Sequence, residues 1–109
     1  MAVTSSGSGS QTAVIDTEHT LDTETTEGVY VRVVDTANMV NGDIVTFRLK
    51  TKYATGGTSQ LALEATYAHI QAEPNKYSPP VPVDTEIIAT LEQTGGTGRD
   101  FPWNLLKIG

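Results

Sequence analysis

A chain of 109 residues without cysteine has room for one domain and one core, and it excludes both a disulfide framework and a thiolate metal site. The net charge is −6 and the seven lysines and arginines are mostly scattered, which excludes the cationic cluster that duplex nucleic acid needs to displace its counterions. No run of about 18 apolar residues exists, so no membrane span is expected, and residues 1–11 lack the basic and apolar regions of a signal peptide.

Residues 1–11, MAVTSSGSGSQ, are too polar and too glycine-rich to offset their own ordering entropy. They read as a flexible arm, able to order against a neighbouring subunit, with Val3 and Gln11 as candidate interface residues. Residues 12–109 read as a single β-sandwich domain. TAVID at 12–16 is a short strand, and EHTLDT at 18–23 a second, with Leu21 inward. The stretch from Gly28 to Tyr53 organises the rest. Val29, Tyr30, Val31, Val33 and Val34 give a strand over about 28–35. Asp35-Thr36 offers an N-cap for one helical turn through Met39. Asn41-Gly42 allows a reversal. Val45, Phe47 and Leu49 then alternate with Thr46, Arg48 and Lys50 over a strand at about 43–53. These two runs are expected to form the central strand pair.

Thr55-Gly56-Gly57-Thr58 is a turn, and Leu61 to His69 alternates with period two, predicting a strand over about 60–71. KYSPPVPV at 76–83 carries prolines 79, 80 and 82, which cannot donate to a ladder, so it is an edge strand or an extended crossing. EIIATLEQ at 86–93 is a strand with Ile87, Ala89 and Leu91 on one face. Thr94 to Gly98 is a loose loop, and Phe101, Trp103 and Leu105 alternate along a last strand at 99–108. Seven or eight short strands with turn signals at this spacing predict an all-β fold, an antiparallel β-sandwich of jelly-roll type.

The residues that carry chemistry do not assemble into a motif. His19 and His69 lack a partner at zinc spacing. Asp16, Glu18, His19 and Asp22 lack the pattern of a calcium loop. Gly95-Gly96-Thr97-Gly98 is followed by Pro102 and a strand pattern, where a phosphate loop needs a helix N-terminus. No catalytic, cofactor or metal residue is therefore predicted. The charge is uneven: residues 12–27 hold five carboxylates, Asp16, Glu18, Asp22, Glu24 and Glu27, and no base. Arg48, Lys50 and Lys52 share one strand face, which reads as a solvated face or as a contact for an acidic partner. Trp103 reads as core or subunit interface. The competing reading groups it with Tyr30, Tyr53, Tyr67 and Tyr77 as a sugar-stacking platform.

The Ser/Gly/Thr arm, the strand pair VYVRVVDTANMVNGDIVTFRLKTK, the middle ATYAHIQAEPNKYSPPVPV and the end TGGTGRDFPWNLLKI together resemble small structural head proteins of tailed bacteriophages. The resemblance covers most of the chain. It implies a non-enzymatic virion protein without cofactor, a decoration (cement) protein that binds the major capsid protein lattice and stabilises the head. The implied place is the capsid surface, after assembly in the host cytoplasm, as a homo-oligomer with a trimer preferred. The Pro-rich segment departs from some decoration proteins and favours a jelly roll over a trimeric β-tulip. The alternative function is a carbohydrate-binding β-sandwich on a virion fibre or adhesin.

Overall fold

A computed structural model describes residues 2–109. Its nine strands are β1 (Val3–Thr12), β2 (Glu18–Glu24), β3 (Gly28–Asp35), β4 (Ile44–Thr51), β5 (Gln60–Ala68), β6 (Asn75–Tyr77), β7 (Val81–Val83), β8 (Ile87–Gly95) and β9 (Asp100–Ile108). They form two antiparallel sheets. One has the order β1-β9-β3-β6, with β7 also on β3; the other has the order β2-β8-β4-β5.

The order follows from a nested set of hairpins. β4 pairs with β5, β3 with β6 and β7, β2 with β8, and β1 with β9. Such a ribbon has one apolar face and cannot stand alone in water. Rolling it up buries that face and brings two new neighbours together, β9 against β3 and β8 against β4. This is the jelly-roll arrangement. The smallest extent of the Cα trace, 19 Å, fits two sheets stacked face to face.

The core lies between the sheets and is supplied by period-two alternation. On β8, Ile87, Ala89, Leu91 and Gln93 are buried; on β4, Val45, Phe47 and Leu49; on β3, Tyr30, Arg32 and Val34. Phe47 sits at the centre of one half, its ring 6.3 Å from Phe101 in an edge-to-face contact and 5.7 Å from Tyr67. Tyr30 and Leu105 fill the other half, and Leu21 and Trp103 pack against both.

Several expectations are corrected. Residues 3–11 of the expected arm form β1 together with Thr12, paired with β9 from Val3↔Ile108 to Thr12↔Asp100. The glycines help explain it: Gly7 and Gly9, two of the β1 positions that face the interior, carry no side chain. A Cβ on Gly7 would stand 2.3 Å from Asp22 Oδ2, and one on Gly9 would rest 3.5 Å from the Trp103 indole. Beyond Thr12, the expected strand at 12–16 is instead a connection. Ala13 donates its N–H to the Arg99 carbonyl, and Asp16, at φ +62°, donates to that of Gln93. β3 and β4 do not pair with one another; they lie in opposite sheets, and the Asn41-Gly42 reversal carries the chain across the sandwich. The Asp35-Thr36 cap is present as a single turn, with Asp35 Oδ1 accepting from the Ala37 N–H at 2.9 Å and Met39 buried beneath. The Pro-rich segment is an edge, as predicted, broken into β6 and β7 around Ser78-Pro79-Pro80.

Residues 94–98 are not loose. β8 runs to Gly95, and buried Gln93 donates to the carbonyls of Gly95 and Thr97 and accepts from the Arg99 N–H. Asp43, 1% exposed, completes the stitching. Its carboxylate accepts from the Val40 N–H at 2.9 Å, from Arg99 Nε at 2.8 Å and from the Thr97 N–H at 3.3 Å. Burial raises its pKa, but the hydrogen bonds from Val40, Arg99 and Thr97 outweigh this and hold it below the ordinary aspartate value. Gly96, at φ +82°, has no room for a side chain beside that carboxylate.

Candidate functional site

The basic row on β4 faces outward and finds its counter-charges within its own sheet. Arg48 lies opposite Glu64 of β5, with Nε 2.7 Å from its carboxylate, and Nη1 is 2.8 Å from Glu92 of β8 and 3.3 Å from Glu18 of β2. Lys50 Nζ is 3.2 Å from Glu18, and Lys52 Nζ is 3.8 Å from Glu86. Glu18 and Glu92 are direct cross-strand neighbours, a repulsive pairing that Arg48 relieves by bridging them. Hydrogen bonds to Glu64 and Glu92 raise the Arg48 pKa, and the Thr90 hydroxyl, ahead of Lys50 and Arg48, lowers that of Glu18. The expected contact for an acidic partner is thus a charge-compensated patch spanning four strands. Spacing along β4 alone could not reveal this, because the carboxylates come from β2, β5, β8 and Glu86 just before β8.

The histidines are apart and serve the backbone. His19 Nε2 accepts from the Val14 N–H at 3.1 Å, and His69 Nδ1 accepts from the Gly42 N–H at 2.9 Å. Among the described residues, no group of three or more His, Asp or Glu side chains is placed to hold a metal ion. The aromatic residues of the sugar-platform reading are not gathered on one surface. Tyr30 is buried, Tyr67 packs on Phe47, Trp103 lies over Gly9 against the core, and Tyr53 and Tyr77 are exposed.

A second acidic group sits between β1 and β2. Asp22 lies beside Gly7, its Oδ2 buried without a hydrogen-bond partner among the described residues, and Glu24 neighbours Asp22. Burial, then the hydrogen bond and charge of Asp22, raise the pKa of Glu24. Burial, then these two carboxylates, raise that of Tyr30, whose hydroxyl donates to the Thr26 carbonyl.

The sheet edges differ in a way that matters for association. β2 carries Glu18, Asp22 and Glu24; β5 carries Glu64; β6 and β7 carry Lys76 and Pro82 and flank Pro79 and Pro80. β1 is the edge strand with neither charge nor proline among the described residues, and one of its sides meets no strand. A register shift between Ser5 and Gly7 divides it, leaving Gly7–Thr12 as six residues of regular ladder. Val3, 60% exposed, lies at its start and Gln11 at its end, so two of the expected interface residues bound one open edge. Trp103, another of them, pairs with Gly9 of this strand but turns its ring inward. No family model, no curated protein and no solved structure matches this chain.

Proposed function

We propose that this protein is a non-enzymatic structural protein that docks on a protein lattice through the free edge of β1. The observation that carries the reading is that edge: uncharged, free of proline and paired on one side only. Natural sheets guard such edges with charge, proline or cover, as β2 and the β6–β7 edge are guarded here, and an unguarded one is a template for a strand of a partner. Ser and Gly give the incoming strand a flat, unobstructed approach.

The resemblance to phage head proteins gives the fuller form: a decoration protein of the capsid surface, partnered by the major capsid protein and grouped as a trimer at local three-fold points. Many weakly held copies on a repeating lattice are held strongly together when they also touch one another. The test is co-sedimentation of the purified chain with phage heads assembled without it, beside a Ser8→Lys, Ser10→Lys double variant. Binding by the wild type that is lost in a variant of unchanged melting temperature is the expected result. No binding refutes the capsid role, and binding that ignores the lysines refutes the β1 edge.

A further inference from the structure

Arg32 occupies a position that strand alternation assigns to the core, between Tyr30 and Val34, and it is 3% exposed. Its main chain is pinned to the β6–β7 link: its N–H donates to Ser78 Oγ at 2.9 Å, and its carbonyl accepts from the Ser78 N–H at 2.8 Å. Its Cζ lies 5.0 Å from the centre of the Phe47 ring, a favourable cation–π placement. The guanidinium has no acidic partner. Among the described residues, no carboxylate stands within ion-pair distance of it, and Nε is buried with no hydrogen-bond acceptor. Burial pushes its pKa down to about 10, which leaves it a cation at neutral pH. A buried guanidinium whose Nε–H is unpaired is costly, and stacking on one ring does not satisfy that donor.

A cavity of about 180 Å³ stands at this group, between β5 and the β6–β7 link. It lies where the regular ladder on β3 is interrupted between Tyr77 and Val81, at the two prolines, 79 and 80, that have no N–H to donate. Leu63, Tyr67, Tyr77 and Pro79 supply apolar and aromatic walls; Glu64 of β5 also borders the cavity, its carboxylate held by Arg48.

We propose that this cavity binds a carboxylate carried on a small aromatic or apolar group, with the Arg32 guanidinium as its anchor. A planar carboxylate matches the fork of donors that the fold leaves unused. An apolar cavity of about 150 Å³ accepts benzene, so the volume suits one ring and its acid group. The cavity lies by the β6–β7 edge, at the opposite end of the sheet from β1, and stands or falls independently of the docking edge.

The test titrates the full chain with phenylacetate and with neutral phenylacetamide, reading the melting temperature and the amide NMR shifts of Ser78 and Tyr67. A parallel arm uses a short peptide ending in phenylalanine, with a free or an amidated C-terminus. The acid forms are expected to raise the melting temperature and move those amides, and the amide forms to do neither. Arg32→Met should weaken acid binding at least tenfold, and Tyr77→Ala, at an exposed wall, severalfold. A response to phenylacetate identifies a free acid as sufficient. A response to the peptide alone identifies the terminus of a partner chain. Equal binding of acid and amide forms, or no response to any of the acids, overturns the proposal. Should Arg32→Met fail to fold, the acid-against-amide contrast on the wild type decides.

Discussion

Replacing Asp43 by alanine tests whether one buried carboxylate holds one end of the sandwich together. The variant removes three hydrogen bonds, from Val40, Arg99 and Thr97. Bonds to a charged acceptor contribute about 1.5–3 kcal/mol each where the donor is left unpaired. The Val40 bond is assigned about 1.5 kcal/mol on that scale. Arg99 keeps 29% of its side chain in water and regains solvent, so its bond counts for about 1 kcal/mol. The longer Thr97 bond adds about 0.5 kcal/mol, for a total near 3 kcal/mol. In a domain of this size that corresponds to a fall in melting temperature of about 15 °C. Urea unfolding followed by the fluorescence of Trp103 measures it, with an unchanged m-value as the control. The native pKa of Asp43 lies below its unfolded value, so its contribution is complete above the unfolded pKa and is lost as pH falls through the native one. The gap between wild type and variant should therefore be full at pH 7 and close under strongly acid conditions, below about pH 3. A gap under about 1 kcal/mol at pH 7, or one that persists in acid, refutes the reasoning.

Two further outcomes follow from the β1–β2 face. Gly7→Ala places a methyl 2.3 Å from Asp22 Oδ2 and should cost about 1–2 kcal/mol, whereas Gly9→Ala meets the Trp103 ring at an ordinary 3.5 Å and should stay within about 0.5 kcal/mol. Equal melting temperatures for the two would mean that Gly7 does not face the interior. Glu24→Gln should stabilise the protein at pH 7. The native pKa of Glu24 is raised, so its contribution to stability is present below the unfolded pKa and is lost as pH rises through the native one. The advantage of the glutamine should vanish below about pH 4, and calorimetry showing a less stable variant at pH 7 would contradict the placement of Glu24 beside Asp22.

Strands whose buried positions are filled by large apolar side chains are legible from the sequence. β8 announces itself through Ile87, Ala89 and Leu91, and β4 through Val45, Phe47 and Leu49. β1 is not legible in this way, because its inner face carries Gly7 and Gly9, which yield their space to Asp22 and Trp103, residues of other strands, and the polar Gln11. The alternation Ser-Gly-Ser-Gly-Ser at 6–10, with glycine recurring at Gly7 and Gly9, is the available signal: it has the strand period, although its composition is that of a linker. The Asn41-Gly42 reversal is a local property and is present. Whether it joins neighbours in one sheet or crosses between two depends on β8 and β9, which come later in the chain. Arg32 carries its own signal in the conflict between its charge and the inward register of Tyr30 and Val34. Asp43 carries none, since its partners Thr97 and Arg99 are distant in sequence.

Nesting the hairpins also orders events during synthesis. β4 and β5 can meet as soon as both have been made, but Gln11 has no ladder partner until Phe101 exists, and Val3 none until Ile108. At about 5–20 residues per second, β1 waits unpaired for some 5–20 seconds while the rest of the chain emerges. A strand of Val and Ile would be an aggregation hazard over such an interval. The serines and glycines of β1, which are poor core formers, keep the chain's longest-waiting strand soluble until its partner arrives.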